Sequence, residues 1–213
     1  MNRFGYACIN MSLREKGVFN SRTMRKEYKF LMNDLEVSKF LTHYKNELTV
    51  LHKPNYINSF YYDTKDFYIY RTSLLRDINK FKFRIREYNN SKRYQNEIKI
   101  SHHQKLKFKS KKFEVEELPK SVNFKNYTLE LKSKVSYYRK YYKFFNSRLT
   151  IDTKINYSML NQNLKYDEKH IVIELKLFNN ASVDIERNFP SNAVKFSKFE
   201  NSISHLYFPE SLI

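Results

Sequence analysis

Polar and apolar residues alternate with a period of two along most of this chain, most clearly in Lys80-Phe-Lys-Phe-Arg-Ile-Arg-Glu-Tyr88. Read as a strand, this stretch sends Phe81, Phe83 and Ile85 to one face and Lys80, Lys82, Arg84 and Arg86 to the other. Four successive cations without a carboxylate among them repel at strand spacing, so that face is expected to meet an anion. The same alternation recurs in Arg25–Met32, in Arg93–Ile100 (Glu97 and Lys99 opposite Ile98 and Ile100), in Arg148–Asp152 and in His170–Leu177, and Ile57–Asp63 also reads as a strand. It is less clean over residues 105–115, where Lys105, Lys107, Lys109 and Lys111 share a face. Residues 134–145, rich in Tyr and carrying Arg139, also read as a strand.

Helical spacing is confined to a few segments. Asn33-Asp-Leu-Glu36 has the form of a capping box, and Val37, Phe40, Leu41, Tyr44 and Leu48 follow on one face, predicting a helix over 34–48. A short helix is expected within 64–72, with Asp63 capping its first turn. Ser191 is positioned to cap a last helix over 192–207, with Phe196, Phe199, Ile203 and Leu206 on its apolar side and Lys195 and Lys198 beside them. Residues 117–133 read as a connection with a short helix. The connections are too short for parallel crossovers, so the expected fold is α+β: a mostly antiparallel eight-stranded β-barrel with a few flanking helices, one of them C-terminal. If the polar faces point inward, Arg25, Arg84, Arg86, Arg139 and Arg148 line the interior with the repeated Glu-x-Lys pairs Glu27/Lys29, Glu97/Lys99 and Glu174/Lys176. Such a lining suits phosphates held by Arg and Lys, with a divalent cation held by the acids.

Composition agrees with this picture. A hydrophobic content of 41%, with 18 Phe and 18 Tyr, provides a core for one domain. The net charge of +18 calls for a polyanionic partner. The single cysteine, Cys8, excludes an internal disulfide. No apolar run is long enough for a membrane helix, and residues 1–23 lack a signal-peptide core, so a cytoplasmic location is expected. Residues 1–24 read as a loosely ordered extension, or as sequence preceding a start at Met24, and residues 25–213 read as the domain.

The order Arg25-x-Glu27-x-Lys29, Ser59-Phe-Tyr-Tyr-Asp63, Arg84-Ile-Arg86, Glu97-x-Lys99, Tyr138-Arg139, Arg148-x-Thr-x-Asp152, Ile173-Glu174-x-Lys176 and Lys195-Phe-Ser-Lys198-Phe resembles the VTC domain. That domain is the polyphosphate polymerase of vacuolar transporter chaperone proteins, within the triphosphate tunnel metalloenzyme (CYTH-like) superfamily. The resemblance implies an antiparallel tunnel in which ATP gives its terminal phosphate to inorganic polyphosphate, with Mn²⁺ or Mg²⁺ as cofactor. It implies catalytic roles for Lys29, Arg84, Arg86 and Lys99. Arg25, Lys107, Arg139, Arg148, Lys195 and Lys198 would bind phosphate, and Glu174 would bind the metal. Among Lys105, Lys107 and Lys109, Lys107 is favoured for the strand after Glu97-x-Lys99. Departures are Lys140, where many members have Arg, and a short stretch between Lys99 and Val135. The resemblance does not extend to the SPX domain or membrane helices of the eukaryotic complexes.

The competing readings are specific. Glu174 would serve equally as a salt-bridge partner for a lining cation. Glu27, Glu97 and Asp152 read as charge-balancing residues, and the pair Lys195/Lys198 as either tunnel residues or a solvated helix face. No histidine pair has metal-ligand spacing, and His102-His103 reads as a loop. Alternatives to the polymerase are a tunnel-fold triphosphatase using water as acceptor and a non-catalytic polyphosphate-binding module. Specific nucleic-acid binding is disfavoured because the aromatics alternate away from the cations rather than offering a stacking surface among them.

Overall fold

The computed structural model describes residues 10–11, 26–75, 80–101, 107–109, 113–177 and 183–212. Its strands are β1 (Asn10–Met11), β2 (Glu27–Met32), β3 (Leu48–Asp63), β4 (Lys80–Tyr88), β5 (Tyr94–Ser101), β6 (Lys107–Lys109) and β7 (Phe113–Val115), followed by β8 (Ser121–Phe124), β9 (Tyr127–Phe144), β10 (Ser147–Ser158), β11 (Lys165–Asp167) and β12 (Ile171–Leu177). Helices α1 (Asp34–His43), α2 (Tyr68–Leu74), α3 (Ile185–Asn188) and α4 (Lys198–Tyr207) flank them, with a 3₁₀ turn at Pro209–Leu212. The fold is α+β and mostly antiparallel, as expected. Eight strands form one continuous path in the order β2-β12-β10-β9-β3-β4-β5-β6. The pairing of β1 with β8 is parallel. Residues 1–24, expected to be loosely ordered, otherwise lie outside the described residues, as do Lys105 and the His102-His103 pair. No helix among the described residues is long and apolar enough to cross a membrane.

The expected barrel is not closed by a backbone ladder, since β2 and β6 end the path. The extended segment before α4 lies in the gap instead. Val194 N donates to Lys29 O of β2 at 2.8 Å, and Lys82 of β4 donates to Ser197 Oγ at 2.8 Å. This corrects the start of the last helix. Residues 192–197 run along β2, and Ser197 rather than Ser191 caps α4 by accepting from Glu200 N. Both serines precede apolar helical spacing, and tertiary pairing of Val194 decides between them. By contrast, the capping box at α1 forms as expected, with Asn33 and Glu36 exchanging bonds of 2.9 and 2.8 Å.

Two further segments differ from the sequence reading. Residues 117–133 form no helix but the β8–β9 hairpin, with Val122, Phe124 and Leu129 buried. Its turn puts Lys125 at φ 54°, a left-handed conformation that a lysine does not advertise. In the β4–β5 connection Asn89 and Asn90, each at φ 53°, form a tight turn in which Ser91 N donates to Tyr88 O at 3.1 Å. Strand β3 is longer than the Ile57–Asp63 reading, because register shifts beside His52 accommodate Pro54 inside a strand.

The apolar faces of the strands point outward and are covered. Val37 and Phe40 of α1, with Phe189, pack on Phe30, Ile173, Leu175, Leu149 and Phe144. The β8–β9 hairpin packs Val122, Phe124 and Leu129 with Phe83, Ile85 and Ile98, in a cluster that continues to Phe199, Ile203 and Leu206 of α4. Covering both outer faces leaves the polar faces of β2, β12, β10, β9, β3, β4 and β5 turned toward the interior.

Asp63 ties β3 to α2 in the expected manner. It is fully buried; Oδ1 accepts from Thr64 N and Ile69 N, and Oδ2 from Tyr70 N, at 2.7–2.8 Å. Asp63→Ala orphans these donors and is expected to cost about 2–4 kcal/mol of stability. Chemical denaturation should then give a lower midpoint with an unchanged m-value. A midpoint equal to that of wild type would show that α2 is held without this cap.

Candidate functional site

Cross-strand register assembles the interior row by row. Lys29, Glu174, Thr150 and Tyr141 are successive partners across β2, β12, β10 and β9, and one row away stand Glu27, Lys176, Arg148 and Lys143. On the other half of the sheet, Arg84 lies between Tyr61 and Glu97, and Arg86 between Ser59 and Gln95. Since Phe83 and Ile85 are wholly buried on the outer face, strand geometry alone turns Lys82, Arg84 and Arg86 inward.

Six of the inward cations, Arg84, Arg86, Arg139, Lys198, Lys29 and Lys176, are held by oxygen atoms. Arg84 donates Nε and Nη2 to Glu97 Oε2 at 3.0 and 2.6 Å, and Nη1 to Tyr61 OH at 3.3 Å. Arg86 donates to Ser59 Oγ at 3.2 Å and to Tyr137 OH at 3.1 Å, with Glu97 3.5 Å away. Arg139 forks onto Asp152 at 2.5 and 2.6 Å, and Lys198 Nζ reaches the same carboxylate at 2.5 Å. Asp152 is fully buried. Lys198 also stands 4.7 Å over the Tyr137 ring, which Arg139 flanks at 5.2 Å. Lys29 donates to Phe196 O at 2.6 Å and lies 3.7 Å from Glu27. Lys176 pairs with Glu174 and lies 3.6 Å from Glu27.

The electrostatics are those of crowded cations. Burial pushes the Glu174 carboxyl up, but Lys176, Arg139 and Lys29 outweigh it and hold the group well below the usual range. Burial likewise opposes ionisation of Asp152, and Arg139 and Lys198 prevail. Glu27, pushed up by burial and by Glu174, is lowered on balance by Lys99, Lys176 and Lys29. That influence of Lys99 links β5 to β2 across the open side of the sheet. Burial lowers Lys29, and Lys198 and Lys82 add to the effect against Glu174 and Glu27. At Tyr137 burial raises the hydroxyl, but Arg86 and Arg139 bring it below its ordinary value. Arg148 Nε and Thr150 Oγ1 are buried without a hydrogen-bond partner among the described residues.

The structure therefore brings Lys29, Arg84, Arg86, Lys99, Arg139, Arg148, Glu174 and Lys198 to one interior. Lys195 is apart from them: its side chain is 70% exposed and lies 3.5 Å from Glu200 at the rim. Arg25 lies outside the described residues. Register sets Lys107 opposite Ser101 and Lys109 opposite Lys99; the side chains of Lys107 and Lys109 are not described. Glu27, Glu97 and Asp152 each sit in an ion pair. Lys82, bonded to Ser197 and Glu200 at 2.8 Å, belongs to the interior too, and its place in the Lys80–Arg86 alternation was the available signal. The reading that aromatics alternate away from the cations fails for Tyr61, Tyr137 and Phe199. Tyr137 stands two residues before Arg139 on β9, so strand parity could have found it.

No group of three His, Cys, Asp or Glu suited to a metal occurs among the described residues; Glu174, expected to bind the metal, shares Lys176 with Glu27. The donor set fits a hard cation that takes one or two carboxylates and draws its other ligands from phosphate and water.

The comparisons agree with this geometry. The family model of the VTC domain matches residues 24–123, which include Lys29, Arg84, Arg86 and Lys99. No curated protein matches the chain. Among solved structures, one from Bacillus halodurans, described as a candidate adenylate cyclase, superposes with a TM-score of 0.52 at 14% identity, covering 87% of this chain and 100% of that one. Another candidate adenylate cyclase, from Vibrio parahaemolyticus, gives 0.51 at 12% identity, covering 84% and 97%. The PH1819 protein of Pyrococcus horikoshii OT3 gives 0.50 at 13% identity, covering 88% and 99%. These likenesses establish the fold. The VTC resemblance read from the motifs is thus shown directly over 24–123, and the fold carries Arg139, Arg148, Glu174 and Lys198 to the same interior.

Asp152 provides a test of the pairing. Its folded-state pKa is depressed, so its stabilisation is complete above the unfolded value of about 4 and is lost as pH falls through the lower folded value. Asp152→Asn should cost about 3–5 kcal/mol at pH 7, because two buried cations lose their partner. It should also flatten the dependence of stability on pH below about 4. An acid profile identical to that of wild type would remove Asp152 from the network.

Proposed function

We propose that this chain is a metal-dependent polyphosphate polymerase, which transfers the terminal phosphoryl group of ATP to a polyphosphate chain threaded through the basic interior. The observation that carries this reading is the surplus of inward cations over carboxylates among the described residues, where Arg148 Nε is buried without a hydrogen-bond partner. A linear polyanion supplies the missing partners along the whole lining, whereas a single small anion meets only a few of them.

Phosphoryl transfer needs alignment and charge neutralisation more than covalent chemistry from the protein. The bond between the γ-phosphorus and the β–γ bridging oxygen breaks, and a terminal oxygen of the polymer bonds to that phosphorus. Arg84 and Arg86, fixed by Glu97, Tyr61, Ser59 and Tyr137, present guanidinium donors to the phosphate oxygens with little further ordering. Lys29 and Lys99 offset charge on the leaving diphosphate, and Arg139, Arg148 and Lys198 hold the polymer. Lys195, at the rim, meets the chain where it leaves the interior. Glu174 would hold Mn²⁺ or Mg²⁺, exchanging its contact with Lys176 for the metal. A divalent cation bound there would neutralise phosphate oxygens and polarise the transferred group. The triphosphatase and binding-module alternatives share this lining and differ in the acceptor or in the absence of turnover.

Purified protein with ATP and Mn²⁺ is expected to yield ADP and long-chain polyphosphate, measured together with orthophosphate. If all transferred phosphate appears as orthophosphate, the chain is a hydrolase; if ATP stabilises the fold without turnover, it is a binding module. Glu174→Gln should weaken metal dependence and lower kcat while the fold persists. Unchanged activity across a metal titration would leave Glu174 as a salt-bridge partner alone.

Ligand binding should also be visible in stability. At a hundredfold excess over Kd, tripolyphosphate should add about 2.7 kcal/mol, a rise in Tm of roughly 5–10 °C for a domain of this size. Orthophosphate at matched ionic strength should do far less, and Arg84→Ala or Arg86→Ala should blunt the shift. Equal stabilisation by duplex DNA would place the binding surface outside the interior.

A further inference from the structure

The interior is not uniform along its length. β4 joins β3 only from the Ile57–Tyr88 pair onward, while Leu48–Asn55 of β3 pair with β9. At this end the inner face of β3 and β9 carries exposed residues, and between Arg139 and Lys143 an aromatic and amide group, His52, Asn55 and Tyr141, interrupts the cations. His52 is exposed and lays its ring against Tyr141, with centroids 3.8 Å apart and planes inclined by 41°. The Tyr141 hydroxyl accepts from Asn55 Nδ2 at 3.4 Å, and Asn55 Oδ1 accepts from Asn89 Nδ2 at 2.8 Å. Tyr88 and Arg139 lie close enough to Tyr141 to affect its hydroxyl. Tyr141 is the ladder partner of Thr150, which in turn pairs with Glu174, so this mouth adjoins the charged lining directly. Elsewhere, α4 packs Phe199 against Tyr61 at 5.4 Å beside Arg84.

A phosphate chain has no use for an imidazole stacked on a phenol and bordered by carboxamides. A ligand that is part polyanion and part planar heterocycle does. We propose that the mouth formed by His52, Asn55, Tyr88 and Tyr141 seats the base of the nucleoside triphosphate, with its phosphates directed inward toward Arg86 and Arg84, the next inward residues beyond Tyr88 on β4. This rests on the phosphate-binding reading above and adds to it a side from which nucleotide enters and a preference for a large, stackable base. The exposed face of His52 stacks on the base, while the Asn55 and Asn89 carboxamides offer donors and acceptors to its edge. Stacking area favours purine over pyrimidine.

Calorimetric titration with ATP, CTP and tripolyphosphate at matched ionic strength tests this. His52→Ala is expected to weaken ATP binding about five- to twentyfold, within the range of one lost base–aromatic stack, and to leave tripolyphosphate unchanged. CTP should bind wild type more weakly than ATP and lose less on the substitution. His52→Trp gives an independent readout, because the chain contains no tryptophan: its indole emission should be quenched by ATP and not by tripolyphosphate. If His52→Ala leaves ATP affinity unchanged, or weakens both ligands equally, the base site is overturned while the phosphate lining stands. If wild type binds neither ligand, the phosphate reading fails and this one falls with it.

Discussion

The fold depends on keeping like charges together inside a protein. Arg139 and Lys198 share the buried carboxylate of Asp152, Arg84 and Arg86 share Glu97, and Lys29 and Lys176 face Glu27 and Glu174. Removing a charge from water costs several kcal/mol unless a partner and hydrogen bonds replace the solvent. Each carboxylate therefore sits where strand register delivers it between two cations. The compensation is incomplete: Lys29 is still pushed toward its neutral form by burial and by its cationic neighbours, and Arg148 Nε finds no acceptor among the described residues. Among the described residues the interior therefore remains short of negative charge.

That requirement reverses the ordinary arrangement of a sheet. Both faces of the curved sheet are sequestered, the polar one around the interior and the apolar one beneath α1, Phe189 and the β8–β9 hairpin. The segment leading into α4 fills the side that no ladder closes and brings Lys198 to Asp152. Because Lys29 Nζ bonds Phe196 O while Lys82 holds Ser197 and Glu200, β2 and β4 are joined through this segment by polar side chains. Closure and charge placement are one set of contacts.

Tyrosine has a particular part in this arrangement. Tyr61 and Tyr137 are buried among guanidinium groups, where a hydroxyl orients an arginine and a ring face attracts the cation beside it. A lining of arginines positioned by phenols, with carboxylates at intervals, is rigid in place and still electropositive, which suits recognition of a phosphate chain by its oxygens.

Local pattern determined much of this protein. The bounds of β4 follow from the alternation of Lys80 to Tyr88, the α1 cap from Asn33 and Glu36, the role of Asp63 from its place before a helical turn, and the inward set of cations from the parity of each strand. Period-two spacing was enough there because one face had to be apolar and buried. Elsewhere local signals were missing or equivocal. The β8–β9 turn uses Lys125 in a left-handed conformation, without the glycine that would have marked it. Ser191 and Ser197 are equally good caps until Val194 bonds to Lys29 O. The sharing of Asp152 by Arg139 and Lys198, the separation of Lys195 from Lys198, and the meeting of His52 with Tyr141 join residues far apart in the chain. Such contacts depend on how the whole sheet curves, and that curvature is decided by tertiary packing.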